Sequence, residues 1–339
     1  MWPQASCLGL FSWTDGEARG GQRHLTGASG TSASVISASA RTSALLALVA
    51  AAAIWGSTFV VTKILLDEAE PFFIAVARFA IALAVLWPLL AWRGRERAAV
   101  YFRPAFIALG LLGVAANFGL QNLGLAYTSA ADAALIIALT PVPIAALAAV
   151  ILGERLVRRQ LIGITVSICG IVLITGAGGV ATPAAVLGDL LIAASTLAWA
   201  GYTLLGKRLA PGHTAATIAT AGIGWGVAFL LPLALVEAIV VSPPELSFLG
   251  VAALAYLGIA ASAATFLLWN YALNAVGASV AGTFLNLIPL FGVAFALFAG
   301  ESVSLLQLGG GAAVGFGVWL AVSAGGRSFA AGSQERSVT

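Results

Sequence analysis

The sequence predicts an all-α polytopic membrane protein: ten transmembrane helices arranged as two inverted five-helix repeats. Three observations predict it. Apolar residues make up 60% of the chain and charged residues 9%, against roughly 25% charged in a soluble domain, so the chain cannot cover a water-facing surface. Apolar stretches of about 20 residues, each long enough to cross about 30 Å of hydrocarbon, follow one another. One long block of sequence also occurs twice, and a repeat fixes architecture more firmly than local propensity does.

The block runs from Asn117 to Gln160 and returns from Thr265 to Gln307. Asn122 answers to Asn270 and Pro141 to Pro289, 148 residues on. Gly153-Glu154 answers to Gly300-Glu301 and Gln160 to Gln307, 147 residues on. The first parts of the two units align at 144 residues: Trp55 with Trp199, Lys63 with Lys207, Pro88 with Pro232. Each unit holds five spans, an odd number, so the second must enter the membrane upside down.

Taken in order, residues 1–42 are Gly, Ser, Thr and Ala with scattered charge and no periodicity, a disordered tail or a mis-assigned start. The first repeat, 44–176, carries spans at 44–65, 72–92, 104–126, 130–152 and 158–176. The second, 187–324, carries spans at 187–207, 215–237, 248–272, 278–299 and 304–324, and 325–339 form a C-terminal tail. Positive charge orients them. Arg93, Arg95, Arg97 and Arg103 lie between spans 2 and 3, Arg155, Arg158 and Arg159 between 4 and 5, and Lys207 and Arg208 after span 6. The opposite loops carry Asp67, Glu68, Glu70, Glu237, Glu245 and Glu301, and only Lys63 goes against the pattern. Both termini are therefore expected in the cytoplasm, with the chain in the bacterial inner (plasma) membrane. Matching loops of the two units have opposite charge character, as inversion requires.

Composition also excludes classes of function. The net charge of +3 comes mostly from loop arginines and does not call for nucleic acid. Cys7 and Cys169 have neither metal-site nor disulfide spacing, and His24 and His213 lie outside the spans. No HExxH, nucleophile elbow or P-loop is present, so neither an enzyme, a cofactor nor self-contained ATP-driven transport is expected.

Inverted repeats give a route to alternating access, with the site near the midplane between the halves. Polar stripes on helix faces point to it. Span 3 carries Gly110, Gly113, Asn117, Gln121, Gly124 and Thr128 at steps of three and four, and span 8 carries Gly258, Ser262, Thr265 and Trp269. Spans 1 and 6 carry Trp55, Thr58 and Thr62, and Thr196, Trp199 and Thr203. Trp55, Thr58, Thr62, Asn117, Gln121, Trp199, Thr203, Thr265 and Trp269 are the candidate substrate-binding residues; the glycines suit close helix packing, and the tryptophans equally suit ordinary packing with a bonded N–H. Arg78 is the one charge well inside an apolar span, and it either braces or gates the bundle or meets an anionic group of the substrate. Pro141, Pro143 and Pro289 lack the amide proton of an intrahelical bond and are expected to kink spans 4 and 9 around the cavity or to serve as hinges, with Pro141 and Pro289 as candidate gating residues. Asp132 and Asp189 are candidates for proton coupling, although Ser129-Ala130-Ala131-Asp132 has capping-box spacing and Asp189 falls in the first turn of span 6. Glu154 and Glu301 close spans 4 and 9 and are expected to pair with the N-terminus of the helix that follows.

The blocks IWGSTFVVTKILL (54–66), AVARFAIA (75–82), TPVPIAALAAVILGERL (140–156), WAGYTLLGKR and LNLIPLFGVAFALFAGE resemble the drug/metabolite transporter superfamily, in particular its EamA-type ten-span branch. The likeness covers about 44–324. It implies export of small metabolites such as amino acids or related compounds, by exchange with protons or by facilitated flow. The implied partners are a small-molecule substrate, the lipid bilayer, protons as coupling ion and a second copy in a homodimer. Two other readings keep the fold: a non-transporting receptor or assembly subunit, and a lipid flippase.

Overall fold

The computed structural model describes residues 38–93, 98–152, 158–177, 182–209, 212–241, 244–276, 281 and 284–335. The tail before residue 38, Arg95, Arg97, Arg155 and the Gly153-Glu154 pair lie outside the described residues. The chain is helical, with no strand among the described residues. Six helices are long and apolar enough to cross a membrane, and four shorter apolar ones accompany them.

The helices are α1 (Ala38–Leu65), α2 (Pro71–Arg93), α3 (Pro104–Gly110), α4 (Asn117–Tyr127), α5 (Ala130–Ile137), α6 (Pro141–Leu152) and α7 (Arg158–Ala177). They continue as α8 (Pro183–Leu209), α9 (Ala215–Val240), α10 (Phe248–Gly258), α11 (Thr265–Val276), α12 (Leu287–Phe298) and α13 (Leu305–Glu335). Two junctions are wound as π-helix, Leu111–Ala116 between α3 and α4, and Ile259–Ala264 between α10 and α11. They begin 148 residues apart, the spacing of the sequence repeat.

Several boundaries differ from the sequence reading. α1 starts at Ala38, inside the expected tail, because no Gly or Pro interrupts the Ala- and Ser-rich stretch before Gly56. At the other end α13 runs on to Glu335, with no proline to stop it. α8 starts at Pro183, and the Thr182 hydroxyl accepts from the Ala185 N–H at 3.1 Å as its cap. Asp189 is therefore in the second turn of that helix, not its first. Pro141 and Pro289 open helices instead of bending them, whereas Pro88 and Pro232 lie inside α2 and α9. Pro141 is the first residue of α6 and Pro289 lies in the first turn of α12, where a missing N–H leaves no bond unmade. Span 4 is thereby divided at 138–140 into two helices.

α7 packs along α13, α2 along α9, α4 along α8, and α1 along α11 and α12. Glycine sets the closest approaches. A Cβ on Gly170 would lie 2.7 Å from the Gly310 carbonyl oxygen, and one on Gly310 would lie 2.7 Å from that of Gly170. Gly124 and Gly188 stand in the same mutual relation between α4 and α8, also at 2.7 Å. The glycines of the span 3 stripe are thus packing residues, which lets backbones meet without an intervening side chain.

Four ionised groups serve helix ends. α12 ends in a Schellman turn: Gly300, at φ 89°, donates to the Leu297 carbonyl at 3.1 Å, and Glu301 N–H donates to Ala296 at 3.0 Å. That turn delivers the Glu301 carboxylate to α5, where it accepts from Ala130 N–H at 3.2 Å and Ala131 N–H at 3.0 Å. Glu301 thus caps α5, not the following helix, because α12 lies antiparallel to α5 and ends beside its first turn. Glu237 likewise accepts from Phe72 and Phe73 N–H at the start of α2, and Glu68 from Ser247 N–H and Oγ at the start of α10. Lys63 donates to the Leu125 and Thr128 carbonyls at 2.8 and 2.7 Å, closing the C-terminus of α4, which accounts for its place against the charge pattern. Glu301→Gln keeps one acceptor oxygen of two and is expected to cost about 1–2 kcal/mol. A melt in detergent should fall by a few degrees, and an unchanged midpoint would refute the cap.

Candidate functional site

A cavity of about 50 Å³ opens at the centre of the bundle. α1 contributes Trp55, Thr58 and Phe59; α4 contributes Asn117, Phe118 and Gln121; α8 contributes Thr196 and Trp199. Ile137 and Thr140, at the break in span 4, and Leu285 and Ile288, at the start of α12, complete the wall. No lining residue is charged.

The polar groups fall into two kinds. The threonine hydroxyls donate to their own helices: Thr58 to Trp55 O at 2.6 Å, Thr140 to Ile137 O at 2.6 Å, Thr196 to Ala193 O at 2.7 Å. Their oxygens remain acceptors towards the cavity. Asn117 is 4% exposed, yet neither it nor Gln121 is held by a side-chain hydrogen bond among the described residues. A buried amide needs partners, so Asn117 and the half-buried Gln121 hold both donors and acceptors in reserve. A water needs about 10–15 Å³ of such space. The cavity therefore takes a few waters, and a metabolite larger than that requires the helices to part.

The lining tryptophans belong to an aromatic cluster. The Trp55 and Trp199 rings meet edge to face at 5.5 Å, and Trp269 leans on both at 5.7 and 5.8 Å. Phe118 and Phe266 lie 6.2 Å apart beside them. Trp55 Nε1 donates to Ala261 O at 3.2 Å. That carbonyl lies in the second π-helical turn and also accepts from Thr265 Oγ1 at 2.6 Å and Arg78 Nη2 at 3.3 Å. Arg78, 1% exposed, further donates from Nε to Ser262 Oγ at 3.0 Å. Its guanidinium lies over the Phe79 and Phe118 rings at 5.1 and 4.8 Å. It ties α2 to the π turn and does not line the cavity.

Of the candidate binding residues, Trp55, Thr58, Asn117, Gln121 and Trp199 line this one cavity. Thr62, Thr203, Thr265 and Trp269 are buried elsewhere around it. Phe59, Phe118, Ile137, Thr140, Leu285 and Ile288 are lining residues that sequence reasoning did not single out. Asp132 and Asp189 stand away from it. Asp132 departs from a full capping box: its N–H donates to Ser129 Oγ at 2.9 Å, but its carboxylate turns to Gln307, accepting from Nε2 at 2.7 Å. Asp189 accepts from Thr128 Oγ1 at 2.6 Å. No group of three metal-ligating side chains occurs among the described residues.

Comparison with known proteins gives the family. The EamA-like transporter family matches residues 42–176 and again 186–323. An uncharacterized transporter of Archaeoglobus fulgidus is 32% identical over 249 residues, 73% of this chain and 85% of its own. A protein of Streptantibioticus cattleyicolor, named "probable terminal-alkyne amino-acid exporter", is 31% identical over 274 residues, 79% of this chain and 90% of its own. A solved crystal structure shares the fold, with a TM-score of 0.58 and 23% identity over 83% of this chain and 96% of its own. Two matches to one family, spanning nearly all the described helices, leave no other assignment: the chain belongs to the EamA-like transporter family.

Proposed function

We propose that this transporter exports a small neutral or zwitterionic metabolite of the amino-acid kind by alternating access, and that the cavity beside Trp55 and Trp199 is its binding site. The uncharged lining, with the two free amides of Asn117 and Gln121, carries the reading. A net charge would find no counter-ion there, whereas a polar head can bond the amides while an apolar tail meets Phe59, Phe118 and Leu285. The relative named as an amino-acid exporter points the same way.

The wider reading is of ten spans in two inverted repeats, over 44–176 and 187–324, in the plasma membrane with both termini cytoplasmic. The equal spacing of the two π turns and the contact of Trp55 with Trp199 and Phe118 with Phe266, each a residue with its repeat mate, support it. Protons serve as coupling ion, with Asp132 and Asp189 as their candidate carriers, Thr62, Thr265, Thr203 and Trp269 flank the pathway, and Pro141 and Pro289 mark its hinges.

Counterflow of labelled neutral amino acids in proteoliposomes tests the site. Asn117→Ala and Gln121→Ala are each expected to raise KM about tenfold, the worth of one hydrogen bond to a polar ligand in a dry site. Unchanged kinetics in well-expressed variants would overturn the placement. No counterflow of any neutral amino acid would overturn the substrate class.

A further inference from the structure

Three buried features do not line the cavity. Thr203 is wholly buried, and its hydroxyl has no hydrogen-bond partner among the described residues. Trp269 is buried, and its Nε1–H likewise has none. Gly206, one turn beyond Thr203 on α8, is buried, yet a Cβ built on it would meet nothing within 4 Å. A polar atom left unbonded in a packed interior is costly and rare, and Thr203 has open space one turn along its own helix.

The sequence repeat says what they correspond to. Thr203 is the mate of Phe59 and Gly206 of Thr62 at 144 residues, and Trp269 is the mate of Gln121 at 148. Phe59 and Gln121 line the cavity. Trp55 and Trp199, mates of one another, touch and both face the cavity. Exchanging the two repeats would therefore leave the indole pair in place and carry the cavity wall onto Thr203 and Trp269, with the open space at Gly206 one turn beyond Thr203.

We infer that Thr203 and Trp269 are the polar lining of a second half-site, contracted in this structure, which opens to the opposite membrane face when the present cavity closes. The inference rests on the alternating-access reading above and adds to it the residues and ligand chemistry of the other state. The indole Nε1–H is a donor only, so this half-site takes an acceptor of the same metabolite, a carboxylate or carbonyl oxygen, with the Thr203 hydroxyl as a second contact. A carrier that samples both states exposes each half-site to one face in turn.

Accessibility to a membrane-impermeant methanethiosulfonate carrying a trimethylammonium group tests this. The background is the full chain with Cys7→Ser and Cys169→Ser, in vesicles of known orientation. Gln121→Cys is expected to be labelled from one face; Thr203→Cys and Gly206→Cys are expected to be labelled from the opposite face only. Gly206→Cys fills open space and guards against misfolding of the Thr203 variant. Labelling of both from the same face as Gln121→Cys, or from neither, overturns the half-site and leaves the cavity reading standing. Failure of Gln121→Cys to react from either face overturns the cavity reading, and the half-site with it.

Discussion

A Gly110→Val chain is expected not to reach the folded state. α3 crosses α9 there with no side chain between them. A Cβ on Gly110 would lie 2.7 Å from the Gly226 nitrogen and 2.8 Å from the Trp225 carbonyl carbon, and would also strike the Trp225 Cβ. Two of these neighbours are backbone, which no rotamer change can move aside. The crossing is reciprocal, because a Cβ on Gly226 would run into Val114. Overpacking a core costs about 1–3 kcal/mol when side chains can shift; here α9 itself must move, and the cost exceeds that range. Size-exclusion chromatography after detergent extraction checks this. A monodisperse Gly110→Val peak with the parent's melting point would show that the helices do not cross at this contact.

The second large effect is expected at Arg78. Arg78→Ala removes two hydrogen bonds from an ionised donor, to Ser262 Oγ and Ala261 O, and leaves a void over the Phe79 and Phe118 rings. Such bonds are worth about 1.5–3 kcal/mol each. Relief of the buried charge offsets part of that, leaving a loss of about 3 kcal/mol. The loss reaches the cavity through the Ala261 carbonyl, which also holds the Trp55 indole. Counterflow should fall by about tenfold or more, along with the melting point. Arg78→Lys keeps the charge but not the fork, since an ammonium is a point donor, so it should recover only part of each. Parent-like stability and kinetics in Arg78→Ala would remove the bracing role.

The sequence made the polar half of the site legible and left the apolar half dark. Trp55, Thr58, Asn117, Gln121 and Trp199 stood out because polar and indole groups deep in apolar spans are unusual, and their spacing placed them on shared faces. Phe59, Phe118, Leu285 and Ile288 gave no such signal. A span facing lipid is as apolar as one facing a cavity, so no contrast separates the two faces. The π turns were invisible for another reason: one extra residue in a helical turn leaves the composition unchanged. Glu301 was read as a helix-end partner, but its partner lies on α5, 170 residues back, and only packing reveals that. Asp189 was misplaced because Pro183 and Thr182 start α8 earlier than its apolar run.

The two π turns also bear on how such a bundle can move. Each is a surplus residue wound into an otherwise regular rod, and a surplus residue need not stay where it is. If it shifts along the rod by one turn, the residues it passes rotate by about 100°, while the rest of the rod keeps its bonds. Asn117 and Thr265 are the first residues after each surplus. Sliding the bulge would swivel either of them out of or into the central space at little cost in backbone hydrogen bonding. The rods can thus change which side chains they show to a passing molecule without tilting as wholes, like a combination lock whose dials turn on a fixed shaft.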